Sequence, residues 1–168
     1  VTVSAVAAKT IVDVSGNIIV DTHWTADKIY RLNGFVRVGK DEKPSTAPQA
    51  PVILNTATLT IDAGTVIYGK TGTPGGTLIV QRGSKIIANG TAAAPIIFTS
   101  EKAPGTKKAG DWGGLVLCGK ATNNIVLPLS ASTQTAGIEE LEGAYGGFHG
   151  GGSSSVDSDN SGTLKYVR

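Results

Sequence analysis

Apolar and polar residues alternate along this chain in short runs, and nearly every run is ended by a glycine or another turn former. The pattern is written most plainly between Leu59 and Ser100. There "LTIDAGTVIYGK" from Leu59 and "LIVQRGSKIIANG" from Leu78 repeat one design, offset by 19 residues. Each copy has a β-branched strand, two polar or small residues, a glycine (Gly64, Gly83), and a second short strand. A further run, "PIIFTS" from Pro95, follows. Period-2 alternation in short glycine-bounded segments predicts strands rather than helices, and a fixed spacing predicts coils of a β-solenoid. If each copy is one coil, Ile61 and Val80 occupy equivalent inward positions of adjacent coils.

The rest of the chain fits around that pair. Val1 to Ala8 reads as an extended lead-in, and "TIVDVSGNIIVDTHW" as two short strands about a turn at Ser15-Gly16-Asn17. "KIYRLNGFVRVG", Lys28 to Gly39, resembles the later runs and predicts the first coil. Lys40 to Ala57 interrupts it with charge and three prolines, which cannot donate to a ladder, so an exposed inserted loop is expected there. "DWGGLVLCGKA" from Asp111, "NNIVL" from Asn123 and "TLKYVR" from Thr163 supply further strands. The glycine- and serine-rich stretch 138–162 predicts a mobile or tightly turned surface segment, where function tends to sit. The expected division is 1–27 as lead-in and cap strands, then 28–168 as coils with a loop insertion at 40–57. A bare strand at the end, without a cap, leads us to expect the coils to continue past Arg168.

Composition narrows the core and the partners. In 168 residues, hydrophobics make up 40% but aromatics only 5%, and methionine is absent, so Val, Ile, Leu and Ala must fill the interior. Charged residues are 17% and the net charge is +2, with the basic residues scattered. No basic stripe interleaved with aromatics exists, so nucleic-acid binding is not expected. A single cysteine, Cys118, excludes an internal disulfide and reads as a small buried hydrophobe in a strand. No apolar run is long enough for a transmembrane helix.

Three constellations carry candidate chemistry. In "DSDNSG", Asp157, Asp159 and Ser161 place oxygens at alternate positions before Gly162, like the first half of a calcium loop. The twelfth place, where a bidentate glutamate would stand, is Arg168, so calcium would need further ligands from a neighbouring coil. The other reading is an Asx-type turn leading into the strand at Thr163. Trp112, beside Gly113 and Gly114, is either an aromatic covering the core or a platform for a ligand. "FHGGG", with His149, is similar to the His-Gly pair of polygalacturonase-type β-helices, and Asp111, Glu139, Glu140 and Glu142 are near in sequence. A solvated acidic cluster is the plainer reading. His23 reads as a surface or capping residue. The Thr-rich "TATLTIDAGT" does not form a repeated array, because Leu78-Ile79-Val80 replaces Leu59-Thr60-Ile61 in the second copy.

Taken in order, "DTHWTADKIYRLNGFVRV", "LTIDAGTVIYGK", "GTLIVQRGSKIIANGTAAAPIIFTS", "GDWGGLVLCGKA" and "DNSGTLKYVR" resemble the amino-terminal half of a family of large exported proteins of Bacteroidetes bacteria. This chain departs from it at the 40–57 loop and at Cys118. The resemblance implies a right-handed parallel β-helix, exported and displayed at the cell surface or outer membrane or released from it. It implies no reaction. The expected function is a structural or binding module without catalysis in this segment, in contact with a surface protein complex or a glycan and with calcium as the one candidate cofactor. The alternative is a carbohydrate-active lyase or hydrolase acting through 138–162 or through residues beyond Arg168.

Overall fold

Short β-branched strands stack coil on coil in a computed structural model that describes residues 8–43, 51–124, 137–142 and 146–168. The strands are β1 (Thr10–Ile18), β2 (Thr22–Trp24), β3 (Lys28–Val38), β4 (Lys40–Glu42), β5 (Val52–Asn55), β6 (Thr58–Ile61) and β7 (Val66–Gly69). They continue as β8 (Thr77–Val80), β9 (Lys85–Asn89), β10 (Ile97–Ser100), β11 (Gly114–Leu117), β12 (Glu139–Glu140), β13 (Phe148–His149) and β14 (Gly162–Lys165). Three parallel faces result. The first is β2-β6-β9-β14; the second joins the leading halves of β1 and β3 to β7 and β10; the third joins their trailing halves to β8 and β11. This is the expected all-β parallel β-helix.

Alternation decides what points inward. Tyr30, Leu32, Val36 and Val38 of β3 are buried, while Ile29, Arg31, Phe35 and Arg37 between them face out. Stacked inward residues such as Val36, Leu78 and Leu115, or Leu59 and Ile86, build the core. Each fully buried aliphatic side chain contributes about 1.5–3 kcal/mol by leaving water. Trp24 stacks on Tyr30 with ring centroids 4.6 Å apart where the first face meets the second.

The register corrects the repeat. Ile61 pairs with Ala88, and Val80 with Val38 and Leu117, so Ile61 and Val80 lie on different faces. The 19-residue repeat is therefore a corner, not a coil: a strand, a glycine with positive φ (Gly64 +81°, Gly83 +77°), and the strand of the next face. Side-chain alternation alone looks the same at every corner, and only hydrogen-bonded register distinguishes one face from the next.

Two other expectations change. Ser15-Gly16-Asn17 does not split β1, because β1 follows β3 around a corner: a shift between Val14 and Gly16 matches the bend of β3 at Asn33-Gly34. The 40–57 insertion begins and ends as strand, with β4 and β5 pairing antiparallel, while 44–50 lies outside the described residues. The 138–162 segment likewise contains an antiparallel pair, β12 with β13, and a 3-10 turn at Gly152–Ser154. The strand expected at "NNIVL" and the loop after it fall mostly outside the described residues.

Candidate functional site

Both insertions are pulled to the same corner by one side chain. Arg82 follows β8, where the first corner carries Ala63, and it is buried together with Asp41 of β4; their side chains are 3% and 0% exposed. The pair is bidentate, Nε to Oδ2 at 2.6 Å and Nη2 to Oδ1 at 2.9 Å. Two further guanidinium hydrogens go to the carbonyls of Gly150 (2.8 Å) and Pro51 (3.1 Å), and the ring of Phe148 lies 5.9 Å from the guanidinium carbon. One arginine thus joins the core corner, the β4–β5 hairpin and the β12–β13 hairpin. A planar fork with five donors suits this three-way role; a lysine could not reproduce it. Gly150 offers its carbonyl at φ +88°, where any side chain would collide with the carbonyl of Gly137.

The β12–β13 segment folds back over the outer side of the third face. Ile79 points outward by alternation yet is fully buried, because Gly147 and Leu141 cover it. Arg37 and Gln81 both donate to the carbonyl of Gly146, at 3.2 and 3.1 Å. The stretch expected to be mobile or tightly turned is anchored here by main-chain acceptors.

Between the two hairpins lies a cleft of about 330 Å³. Its floor is Asn17 and Arg37, neighbours in register on β1 and β3. One wall carries Lys40, Glu42 and Lys43; the other carries Glu140, Gly146 and Phe148. Lys40 and Glu42 form an ion pair at 2.9 Å. Partial burial pulls the Arg37 guanidinium below its usual value, though an arginine remains charged. Directly behind this region Cys118 is fully buried just past β11, and burial, then the nearby Asp41 charge, push its thiol up to about 11.

A second concavity, of about 320 Å³, borders Leu117, Thr122, Leu141 and His149. At its edge His149 Nε2 lies 3.3 Å from Glu139 Oε2, across the β12–β13 pair.

The residues singled out from sequence are dispersed. Asp157 Oδ1 accepts the Thr122 amide at 2.9 Å, and Asp159 Oδ2 accepts the Lys120 amide at 2.7 Å. Asn160 makes the Asx turn, accepting the Gly162 amide at 2.8 Å. Among the described residues, no three Asp, Glu, His or Cys side chains gather as a metal-binding group. Trp112 lies half-buried against the core, near-parallel to Phe98 at 6.5 Å; the glycine it sits on is Gly69 of the preceding coil, not Gly113 or Gly114. Asp111 is tied to Lys102 and to the Lys108 amide, and His23 to Asp62 at 2.7 Å. The residues that sequence reading missed are Arg37, Arg82 and Asp41. One signal for Arg82 was present: a long charged residue at a corner whose sister corner has alanine.

A family model described as a pectate-lyase-like beta helix domain matches residues 16–168. No curated protein and no solved structure matches the chain.

Proposed function

The chain belongs to the pectate-lyase-like beta-helix domain family, and from that premise we propose that it is an exported cell-surface module that binds a glycan without cleaving it. The binding site is the cleft between the β4–β5 and β12–β13 hairpins, and that cleft is the observation that carries the reading. Its volume of about 330 Å³ falls at the lower end of the range for small-ligand sites. Asn17, Arg37, Lys40, Glu42 and Glu140 offer donors and acceptors together, as recognition of hydroxyl groups requires. Hydrolysis by a carboxylate pair needs two available groups flanking the bond. Among the carboxylates of the cleft, Asp41 is buried in its pair with Arg82 and is not available to a ligand, which supports binding over cleavage.

Export, display in a surface or outer-membrane complex, and a Bacteroidetes source belong to the same reading; they rest on the resemblance of the motif series and on the low charge content. In the same reading calcium would be held by the Asp157 and Asp159 carboxylates, through the lone pairs that the backbone amides leave over, together with the Ser161 hydroxyl. A second reading, a carbohydrate-active enzyme, is favoured by the His149–Glu139 pair beside its own concavity.

Calorimetry against a panel of neutral and acidic oligosaccharides, with chromatography of the recovered sugar, separates the two. We expect saturable binding, intact sugar, and affinity reduced about tenfold or more in Arg37→Ala, equivalent to about 1.4 kcal/mol. Absence of binding would remove the glycan reading, and shortened products would favour the enzyme.

A further inference from the structure

We propose that the cleft is one half of a longer groove whose second subsite is the cavity beside Phe35, so that the ligand is a glycan of linked units and not a single sugar. The inference rests on the glycan-binding reading and extends it. Phe35 and Arg37 are successive outward residues of β3, which places them ~6.6 Å apart along the strand. Arg37 forms the floor of the cleft, and Phe35 lines a separate cavity of about 250 Å³. The Arg37 guanidinium carbon lies 5.3 Å from the centre of the Phe35 ring, so a single side-chain contact stands between the two cavities.

The second cavity has the make-up that a sugar ring needs. Phe35 is its one aromatic wall, and the remainder is Gly72, Pro74, Gly75, Thr77 and Gly113 with Thr73 at the rim. Small residues leave room for a ring, while the Phe35 ring supplies an apolar surface for it to pack on. The turn forming this wall is held in place: Gly76 donates to the carbonyl of Lys70 at 2.8 Å, and the Thr71 amide to Glu101 at 2.8 Å. A wall fixed before binding costs little ordering entropy when a ligand arrives.

The test is calorimetry with cello-oligosaccharide and oligogalacturonate ladders, each running from the single sugar to long oligomers, on the wild type, Phe35→Leu, Phe35→Ala and Arg37→Ala. The expected result is affinity that rises about tenfold from the single sugar to the oligomer and then levels off. Phe35→Leu, which keeps most of the volume and removes the ring, is expected to flatten that rise, while Arg37→Ala weakens every rung. Melting temperatures confirm that each variant is folded, and Phe35→Leu serves if Phe35→Ala does not fold. Affinity independent of length, or an unchanged rise in Phe35→Leu, would overturn the second subsite and leave the cleft standing. No binding by any rung would overturn both.

Discussion

Arg82 is the residue on which most of the site's geometry depends, and its effect on stability has two opposed parts. Desolvating two charges is costly, and the bidentate contact with Asp41 and the two carbonyls offsets that cost only while all of them are present. Asp41→Ala, which leaves a buried guanidinium without its counter-ion, is expected to cost about 3–5 kcal/mol in urea unfolding. Replacing both partners, Asp41→Leu with Arg82→Met, is expected to cost distinctly less; an equal or larger loss in the double variant would contradict the account. Cys118 gives a second test close by. With its thiol pushed up to about 11 and fully buried, it should resist thiol reagents in the native protein at neutral pH and react once the chain unfolds. Fast labelling of the folded protein would show that the corner opens. Neither Arg82 nor Asp41 was legible as a pair in the sequence, since 41 residues of chain separate them and nothing local signals a shared corner. Cys118, by contrast, read correctly as buried from its apolar neighbours.

Strand identity and facing were legible because they depend on side-chain alternation, which is local. Register was not, because it depends on which strand of the previous coil a segment meets. The two copies at Leu59 and Leu78 are equivalent as corners and not as coils, and the core rows run Leu59 to Ile86 and Val38 to Val80. This assignment predicts opposite outcomes for two adjacent isoleucines in β9. Ile86 is fully buried under Leu59, whereas Ile87 faces outward opposite Thr60. Ile86→Ala is expected to cost about 2–5 kcal/mol and Ile87→Ala less than half as much, read from denaturant midpoints. Comparable losses at both positions would mean that the strand faces are wrongly assigned. The hairpins β4–β5 and β12–β13 were hidden for a different reason. Their strands are very short, and proline, glycine and charge outweighed the strand signal.

For the molecule as a whole, several surface carboxylates are held by hydrogen bonds, Asp13 and Asp157 across separate strands or loops and Asp27 and Asp111 within their own turns. Hydrogen bonding to Arg31 lowers Asp13 below the ordinary 3.8, and Thr25, Lys102 and the Thr122 amide do the same chiefly for Asp27, Asp111 and Asp157. Each binds its proton less tightly in the folded chain than in the unfolded one. Their contribution to stability is therefore complete above 3.8 and is lost as the pH falls below it through the lowered folded values. Melting temperature should hold level down to about pH 5 and then fall, and added salt should shrink the effect because most of these groups are exposed. A curve that is flat through pH 3 would show that these contacts do not hold in solution.

If the corner joined by Arg82 presents the proposed glycan cleft on the third face of the helix, a bound oligosaccharide must protect that corner. Amide hydrogen exchange on the free protein and on the protein saturated with a binding oligosaccharide tests it most directly. Slower exchange on binding is expected in β3 from Phe35 to Val38, in β4, and from Gly146 to Gly150, with little change on the first and second faces. Protection confined to the Asp157–Ser161 turn, or to the outward residues of β7 and β10, would contradict it.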